Sequence, residues 1–103
     1  MIDLISNNKI QLKRICEKHL VKSLYLFGSA AKNQFDTLHS DLDFVVEFNP
    51  NINPIDYSDY FLDLLGDLKI LFGKDVDLLS YRALKNRIMI AEIDHSKIEL
   101  YAA

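Results

Sequence analysis

The sequence predicts a small α/β (α+β) fold, in which a mixed sheet carries helices on one face. Three short apolar segments, 24–27, 41–48 and 74–80, have the composition of strands. Residues 56–72, between the last two, place apolar and aromatic side chains at helical spacing. Helices and strands therefore alternate along the chain, an order in which helices cover one face of the sheet and leave the other face open.

The first part of the chain predicts a packing helix and then a strand. Apolar residues follow an imperfect helical pattern over residues 3–21, with Ser6 or Asn7 as the candidate cap. Residues 24–27 (Leu-Tyr-Leu-Phe) form the first strand. Gly28 then opens a segment of small residues that is compatible with a short helix.

The second part predicts two helices and an edge strand. The pattern over 56–72 indicates the clearest helix of the chain, and Gly73 ends it. We interpret its aromatic stripe as core, with a partner surface as the alternative. A further helix is expected over 81–94, with Ser80 as its cap, and a short edge strand over 97–101.

Two carboxylates lie at the start of the second strand. Side chains alternate between the faces of a strand, so Asp41 and Asp43 share one face while Leu42 and Phe44 share the other. Hard Mg²⁺ ions take oxygen ligands, and carboxylates at this spacing can share them. Glu47 lies on the same face further along, and we interpret it as a solvated edge charge.

A third carboxylate is expected from the third strand. Asp77 lies inside the apolar segment, where Val76 and Leu78 fix its position, whereas Asp75 at the strand entrance faces solvent. An Asp-x-Asp pair alone is common in soluble proteins. The hypothesis of a metal-dependent site therefore depends on all three carboxylates, in this order, behind a glycine-serine turn.

That turn is a candidate phosphate site. Gly28 and Ser29 follow a strand and open a helix-compatible segment, so their backbone N–H groups can face a phosphate. Ser40, before the first aspartate, either orients the site through a hydrogen bond or is ordinary loop chemistry. Both interpretations of Ser40 stay open.

Together these motifs resemble the MNT-type minimal nucleotidyltransferases of the DNA polymerase β superfamily, which are often antitoxins paired with a HEPN-domain toxin. The motifs that carry the resemblance are Gly28-Ser29, Asp41-x-Asp43 and Val76-Asp77-Leu78. Two features depart from the family pattern. The spacing from the serine to the first aspartate is one residue longer than usual, and Lys32 stands where arginine is usual, which leaves the placement of Lys32 and His39 open.

The resemblance implies one minimal nucleotidyltransferase domain over residues 1–103, with a polymerase-β-like palm. Its implied reaction moves AMP from ATP to a hydroxyl, a tyrosine of the HEPN partner, and releases pyrophosphate. A non-catalytic antitoxin that neutralises its partner by binding is one alternative. The other is a nucleotidyltransferase whose acceptor is a small molecule or an RNA end, although the chain has no room for a substrate domain.

The resemblance also implies residue roles. Asp41 and Asp43 would hold two Mg²⁺ ions, and Asp77 would bind the metal nearer the attacking oxygen and act as base. The implied nucleotide-binding residues are Gly28, Ser29, Lys32 and Ser40. Of these, Gly28 and Ser29 would seat the β- and γ-phosphates, and Lys32 would neutralise the leaving pyrophosphate.

Charge argues against general nucleic-acid binding. The net charge is −3, whereas proteins that grip a nucleic-acid backbone usually present a basic face. A local basic group consists of Arg82, Lys85 and Arg87. On the predicted helix Arg82 and Lys85 would share a face, which either contacts a triphosphate or an acidic partner or is simply solvated.

The remaining composition predicts a cytoplasmic protein. The amino-terminal segment lacks the basic and apolar regions of a secretory signal, and no segment approaches the ~20 apolar residues that span a bilayer. The chain has one cysteine, Cys16, which excludes an internal disulfide. Its place in a helical pattern indicates a small packed residue rather than a nucleophile.

Overall fold

A computed structural model of the protein describes residues 3–28, 30–31 and 41–103. Ser29, Lys32, His39 and Ser40 lie outside these ranges. The helices are α1 (Asp3–Ser6), α2 (Lys9–Lys18), α3 (Tyr57–Phe72) and α4 (Arg87–Ser96), and the strands are β1 (Val21–Phe27), β2 (Leu42–Phe48), β3 (Val76–Ser80) and β4 (Ile98–Ala102). In the described part of the chain, no helix is long and apolar enough to cross a membrane.

The strands form one mixed sheet in the order β3-β2-β1-β4. β1 pairs antiparallel with both β2 and β4, whereas β2 and β3 are parallel. Parallel neighbours need a crossover connection, and α3 supplies it. The predicted mixed α+β fold is confirmed, and the expected strand at 97–101 is present as the edge strand β4.

The core lies between α2, α3 and one face of the sheet. Leu24, Leu26, Phe44 and Val46 alternate along β1 and β2 on this face and are fully buried. Phe72 stacks on the ring of Phe44 with the ring centroids 5.7 Å apart. The interpretation of the α3 stripe as core is confirmed by its buried members, which are Leu64, Leu68 and Phe72.

Two smaller predictions are also confirmed. Gly73 ends α3 in the left-handed conformation, with φ of 61°. Cys16 is fully buried, and burial, aided by the charge of Glu17, raises the pKa of its thiol to about 12. A thiol with this pKa is neutral at physiological pH, so Cys16 is a packing residue.

The predicted helix over 3–21 is divided into α1 and α2. A turn at Asn7 and Asn8 separates them, and the side-chain amide of Asn8 donates a hydrogen bond to the carbonyl of Leu4 at 2.8 Å. This bond satisfies a carbonyl at the end of α1, which is the local competition by which asparagine interrupts helices.

The prediction of one helix over 81–94 behind Ser80 is wrong. Tyr81–Ala83 forms a single 3₁₀ turn, and α4 begins later, at Arg87. The side chain of Asn86 accepts the N–H groups of Ile88 and Met89, whereas Ser80 makes no capping bond. Asn86 is therefore the true cap.

Candidate active site

The strand register brings two of the three predicted aspartates together. Asp43 of β2 lies between Phe27 of β1 and Asp77 of β3, level with both. The three side chains point away from the core face, because their strand neighbours are core residues. Asp43 is half-buried and Asp77 is exposed, so one carboxyl group lies deep in the face and its partner faces solvent.

Electrostatics couple the two carboxyl groups. The pKa of Asp43 is raised to about 6, chiefly by burial and then by the charge of Asp77, a side-chain hydrogen bond with Asp77 and the charge of Asp41. A hydrogen bond between two carboxyl groups requires that they share a proton. Asp43 therefore changes its protonation just below neutral pH.

Gly28 forms the wall of the site beside this pair. Its φ of 73° lies in the left-handed region, and a Cβ atom at this position would overlap Oδ2 of Asp43. The sequence indicates Gly28 as a phosphate contact but not this close approach to Asp43. The pairing of Phe27 with Asp43 produces the contact, since it brings the next residue of the chain beside the carboxyl group.

Asp41 is the third predicted carboxylate. It directly precedes β2 and is exposed, and its charge acts on Asp43. Within the described ranges, no three Asp, Glu, His or Cys side chains already stand as a set of metal ligands. Asp43 and Asp77 nevertheless have the oxygen donors that hard divalent cations take, and such a cation would counter the negative charges around Asp43.

The rest of this face is not uniformly open, in contrast to the expectation. Val45, two residues after Asp43, is fully buried. Beside it, the ammonium group of Lys97 lies 4.3 Å from the ring centroid of Tyr25 and 5.1 Å from that of Tyr81. Asp94 of α4 accepts hydrogen bonds from Tyr81 at 2.9 Å and from Lys97 at 3.0 Å. No short-range sequence pattern indicates this cluster.

The remaining predicted residues are placed as follows. Ser29, Lys32 and Ser40 belong to the predicted nucleotide site but lie outside the described residues. Asp75 is exposed before β3, and its carbonyl accepts the N–H of Leu42.

Two interpretations of charged residues need correction. Glu47 is half-buried on β2, which lies between two other strands, so it is not a charge at the edge of the sheet. Arg82 and Lys85 are exposed but do not share a helix face. Arg82 lies in the 3₁₀ turn, and Lys85 precedes α4.

The class of protein to which this fold belongs is that of the nucleotidyltransferases. The chain belongs to the polymerase beta nucleotidyltransferase family, whose pattern matches residues 10–103. It is 36% identical over 86 residues to "Putative protein adenylyltransferase MJ1379" of Methanocaldococcus jannaschii, with 84% of this chain and 83% of the relative covered.

Solved structures of toxin–antitoxin complexes have the same fold. One is a toxin–antitoxin structure with AMP-PNP, with a TM-score of 0.71, 19% identity, and coverage of 93% of this chain and 74% of that chain. Another is a tri-AMPylated Shewanella oneidensis HEPN toxin in complex with its MNT antitoxin, with a TM-score of 0.65, 18% identity, and coverage of 96% of this chain and 73% of that chain.

Proposed function

We propose that this protein transfers AMP from ATP to a hydroxyl of a HEPN-type protein partner, a tyrosine, and acts as its antitoxin. The facing carboxyl groups of Asp43 and Asp77 beside Gly28 are the observation that carries the proposal. The protein adenylyltransferase relative supports the reaction. The toxin–antitoxin neighbours, one with AMP-PNP and one with an AMPylated HEPN toxin, support the nucleotide and the partner.

The two aspartates suit different parts of this reaction. Asp77 is exposed, so an acceptor hydroxyl can approach it from solvent, and its carboxylate would take the proton of that hydroxyl. The hydroxyl oxygen forms a bond to the α-phosphorus of ATP as the bond to the bridging oxygen breaks, and pyrophosphate leaves. The half-buried Asp43 lies deeper in the face than Asp77 and would be a metal ligand rather than the base.

Two Mg²⁺ ions fit this donor set, with Asp41, Asp43 and Asp77 as the ligands. Bound there, the ions would neutralise charge on the phosphates and bring acceptor and nucleotide together. Gly28 would let the phosphates approach the backbone closely, because it presents no side chain. Ser29, Lys32 and Ser40 remain candidate nucleotide contacts.

Mass spectrometry of the partner tests the proposal. The protein, Mg²⁺, ATP and the HEPN-type product of the neighbouring gene should yield a partner that carries AMP on tyrosine and has lost its toxicity. Asp43→Asn should abolish the addition. A matched control is Asp63→Asn, an equal charge change on the exposed side of α3.

One result would favour a binding antitoxin instead. If an Asp41→Asn/Asp43→Asn variant neutralised the partner fully and left it unmodified, neutralisation would not need transfer.

Incubation with free RNA and labelled ATP tests the other alternative, an RNA-end acceptor. The net charge of −3 predicts that RNA is a poor acceptor at physiological salt.

A further inference from the structure

A second cavity lies at the end of β2, where its lining includes residues from both faces of the sheet, Glu47 and Phe48. Its volume is about 360 Å³, and its lining includes Lys22, Glu47, Tyr57, Tyr81 and Arg82. Small-molecule sites occupy roughly 300–1,000 Å³, so this volume suits a compact ligand. Glu47 follows Asp43 by four residues on β2, which puts the cavity about 13 Å from the pair along the strand.

Two tyrosine walls of this cavity are fixed in place. The hydroxyl of Tyr81 donates to both carboxylate oxygens of Asp94 at 2.9 Å. Tyr57 shares a hydrogen bond with the hydroxyl of Ser80 and packs edge-on against Phe48, with the ring centroids 5.3 Å apart. Both rings are therefore oriented by contacts within the protein, so a ligand would not have to order them.

The cavity also carries positive charge. Lys22 and Arg82 are exposed, and neither forms an ion pair within the described part of the chain. Glu47 offsets one of the two charges, so these lining groups sum to +1 in a chain of net charge −3. An arginine guanidinium matches phosphate geometry, and aromatic faces accept a nucleobase.

We propose that this cavity binds a nucleoside monophosphate, with the base against Tyr57 and Tyr81 and the phosphate held by Lys22 and Arg82. Free AMP and an adenylate already attached to a protein acceptor share this chemistry. The cavity's role in the reaction rests on the proposed function, because an attached adenylate would be held here while ATP occupies the carboxyl pair. The affinity of the cavity for free AMP does not depend on the proposed function.

Calorimetric titration with AMP, without divalent cations, tests the proposal. Lys22→Ala/Arg82→Ala should weaken AMP binding at least about tenfold, because it removes both contacts to the charged phosphate. The control, Arg14→Ala/Lys69→Ala, removes the same charge from exposed positions on α2 and α3 that do not line the cavity. It should bind AMP as the wild type does. Thermal unfolding checks that both variants fold.

Unchanged binding in Lys22→Ala/Arg82→Ala, or no binding by the wild type, would overturn the proposal. Asp43→Asn separates the two sites, since it should lose transfer yet keep its affinity for AMP. If it lost that affinity, AMP would bind at the carboxyl pair and the cavity would not be its site. If the wild type transferred AMP to its partner but did not bind free AMP, only the present inference would fail.

Titration with a second ligand determines whether the cavity holds free AMP or an adenylate attached to the acceptor. A tyrosine peptide that carries AMP is titrated beside free AMP, and both affinities must depend on Lys22 and Arg82. Tighter binding of the peptide would identify the adenylate on the acceptor as the occupant. Equal or weaker binding would identify free AMP.

Discussion

Asp43 is the residue on which the candidate site depends. It lies level with Phe27 and Asp77 on the neighbouring strands, and Gly28 lies against its carboxyl group. Burial and the surrounding negative charges raise its pKa to about 6 from an ordinary value of 3.8. The folded protein therefore holds a proton here more tightly than the unfolded chain does.

This shift predicts a pH-dependent stability. Folding raises the pKa of Asp43, so the protonated carboxyl group stabilises the folded protein below about pH 4. This stabilisation is lost as the pH rises through about 6. Without divalent cations, Asp43→Asn should therefore unfold at a higher temperature than the wild type at pH 7, but not at pH 3.5. We expect a gain of about 1 kcal/mol, reduced from the full linkage value because Asp43 is partly exposed to solvent.

Thermal unfolding at the two pH values, with Asp63→Asn as the control, measures this effect. An Asp43→Asn variant less stable than the wild type at pH 7 would show that the carboxylate is held by favourable contacts rather than repelled. Mg²⁺ should raise the unfolding temperature of the wild type and have little effect on Asp43→Asn.

Gly28 predicts a steric effect on the same carboxyl group. In Gly28→Ala the new methyl group would overlap Oδ2 of Asp43 and strain a backbone at φ 73°. Asp43 must then move, and a displacement of about 1 Å at a catalytic group can cost about a hundredfold in rate. Transfer assays measure the loss, and Gly66→Ala is the control because a Cβ there meets nothing within 4 Å. Normal transfer by Gly28→Ala would contradict the described contact.

At the scale of elements, α2 and α3 are joined by a polar contact at the end of α2. Nε2 of the buried His19 lies 2.6 Å from Oδ2 of Asp67, and Lys18 is 3.3 Å from the same oxygen. The hydrogen bond with His19, followed by the contacts with Lys18, holds the pKa of Asp67 below its ordinary value. This contact fixes the two helices that cover the core face.

Asp67→Asn should therefore destabilise the protein at neutral pH. A carboxyl group whose pKa is lowered by folding stabilises the protein above pH 3.8, its ordinary pKa in the unfolded chain. This stabilisation is lost as the pH falls through the pKa of Asp67 in the folded protein. We expect the free energy of unfolding to fall by about 1 kcal/mol or less at pH 7, because solvent screens the pair. Below pH 3 the loss should be smaller. Urea unfolding at both pH values measures it. An equal cost at both would mean that packing, not charge, is lost.

The cap of α4 supports the second cavity. Asn86 accepts two N–H groups at the start of α4, and the same helix carries Asp94, which orients Tyr81. Asn86→Ala should cost about 1 kcal/mol of stability, as cap losses typically do. Equal stability of Asn86→Ala and the wild type in urea unfolding would contradict the assignment of the cap.

The sequence predicts those elements whose signal is local. Alternation along β2 places Asp43 opposite the core residues, and Gly73 ends α3 as expected. The choice between Ser80 and Asn86 as a cap is not local, because Tyr57, 23 residues earlier in the chain, occupies the hydroxyl of Ser80. Contacts such as that between Tyr81 and Asp94, 13 residues apart, have no short-range pattern.

On the scale of the whole molecule, strand order builds the candidate site. β2 lies between β1 and β3, so residues from three strands meet at Asp43 although they are far apart in sequence. α2 and α3 cover the other face and keep the carboxyl groups accessible from one side. The net charge of −3 makes the whole molecule unfavourable for a nucleic-acid backbone, which supports the proposed protein acceptor.

The rate of AMP transfer to the partner at saturating Mg²⁺ and ATP tests the central claim most directly. We predict that Asp43→Asn and Asp77→Asn each slow a single turnover by at least about a hundredfold, whereas Asp75→Asn and Asp63→Asn leave it within about twofold. Asp77→Asn should keep its affinity for ATP, because that carboxylate serves the acceptor. A normal rate in Asp77→Asn, or a loss confined to Asp75→Asn, would contradict the assignment of the site to the Asp43 and Asp77 pair.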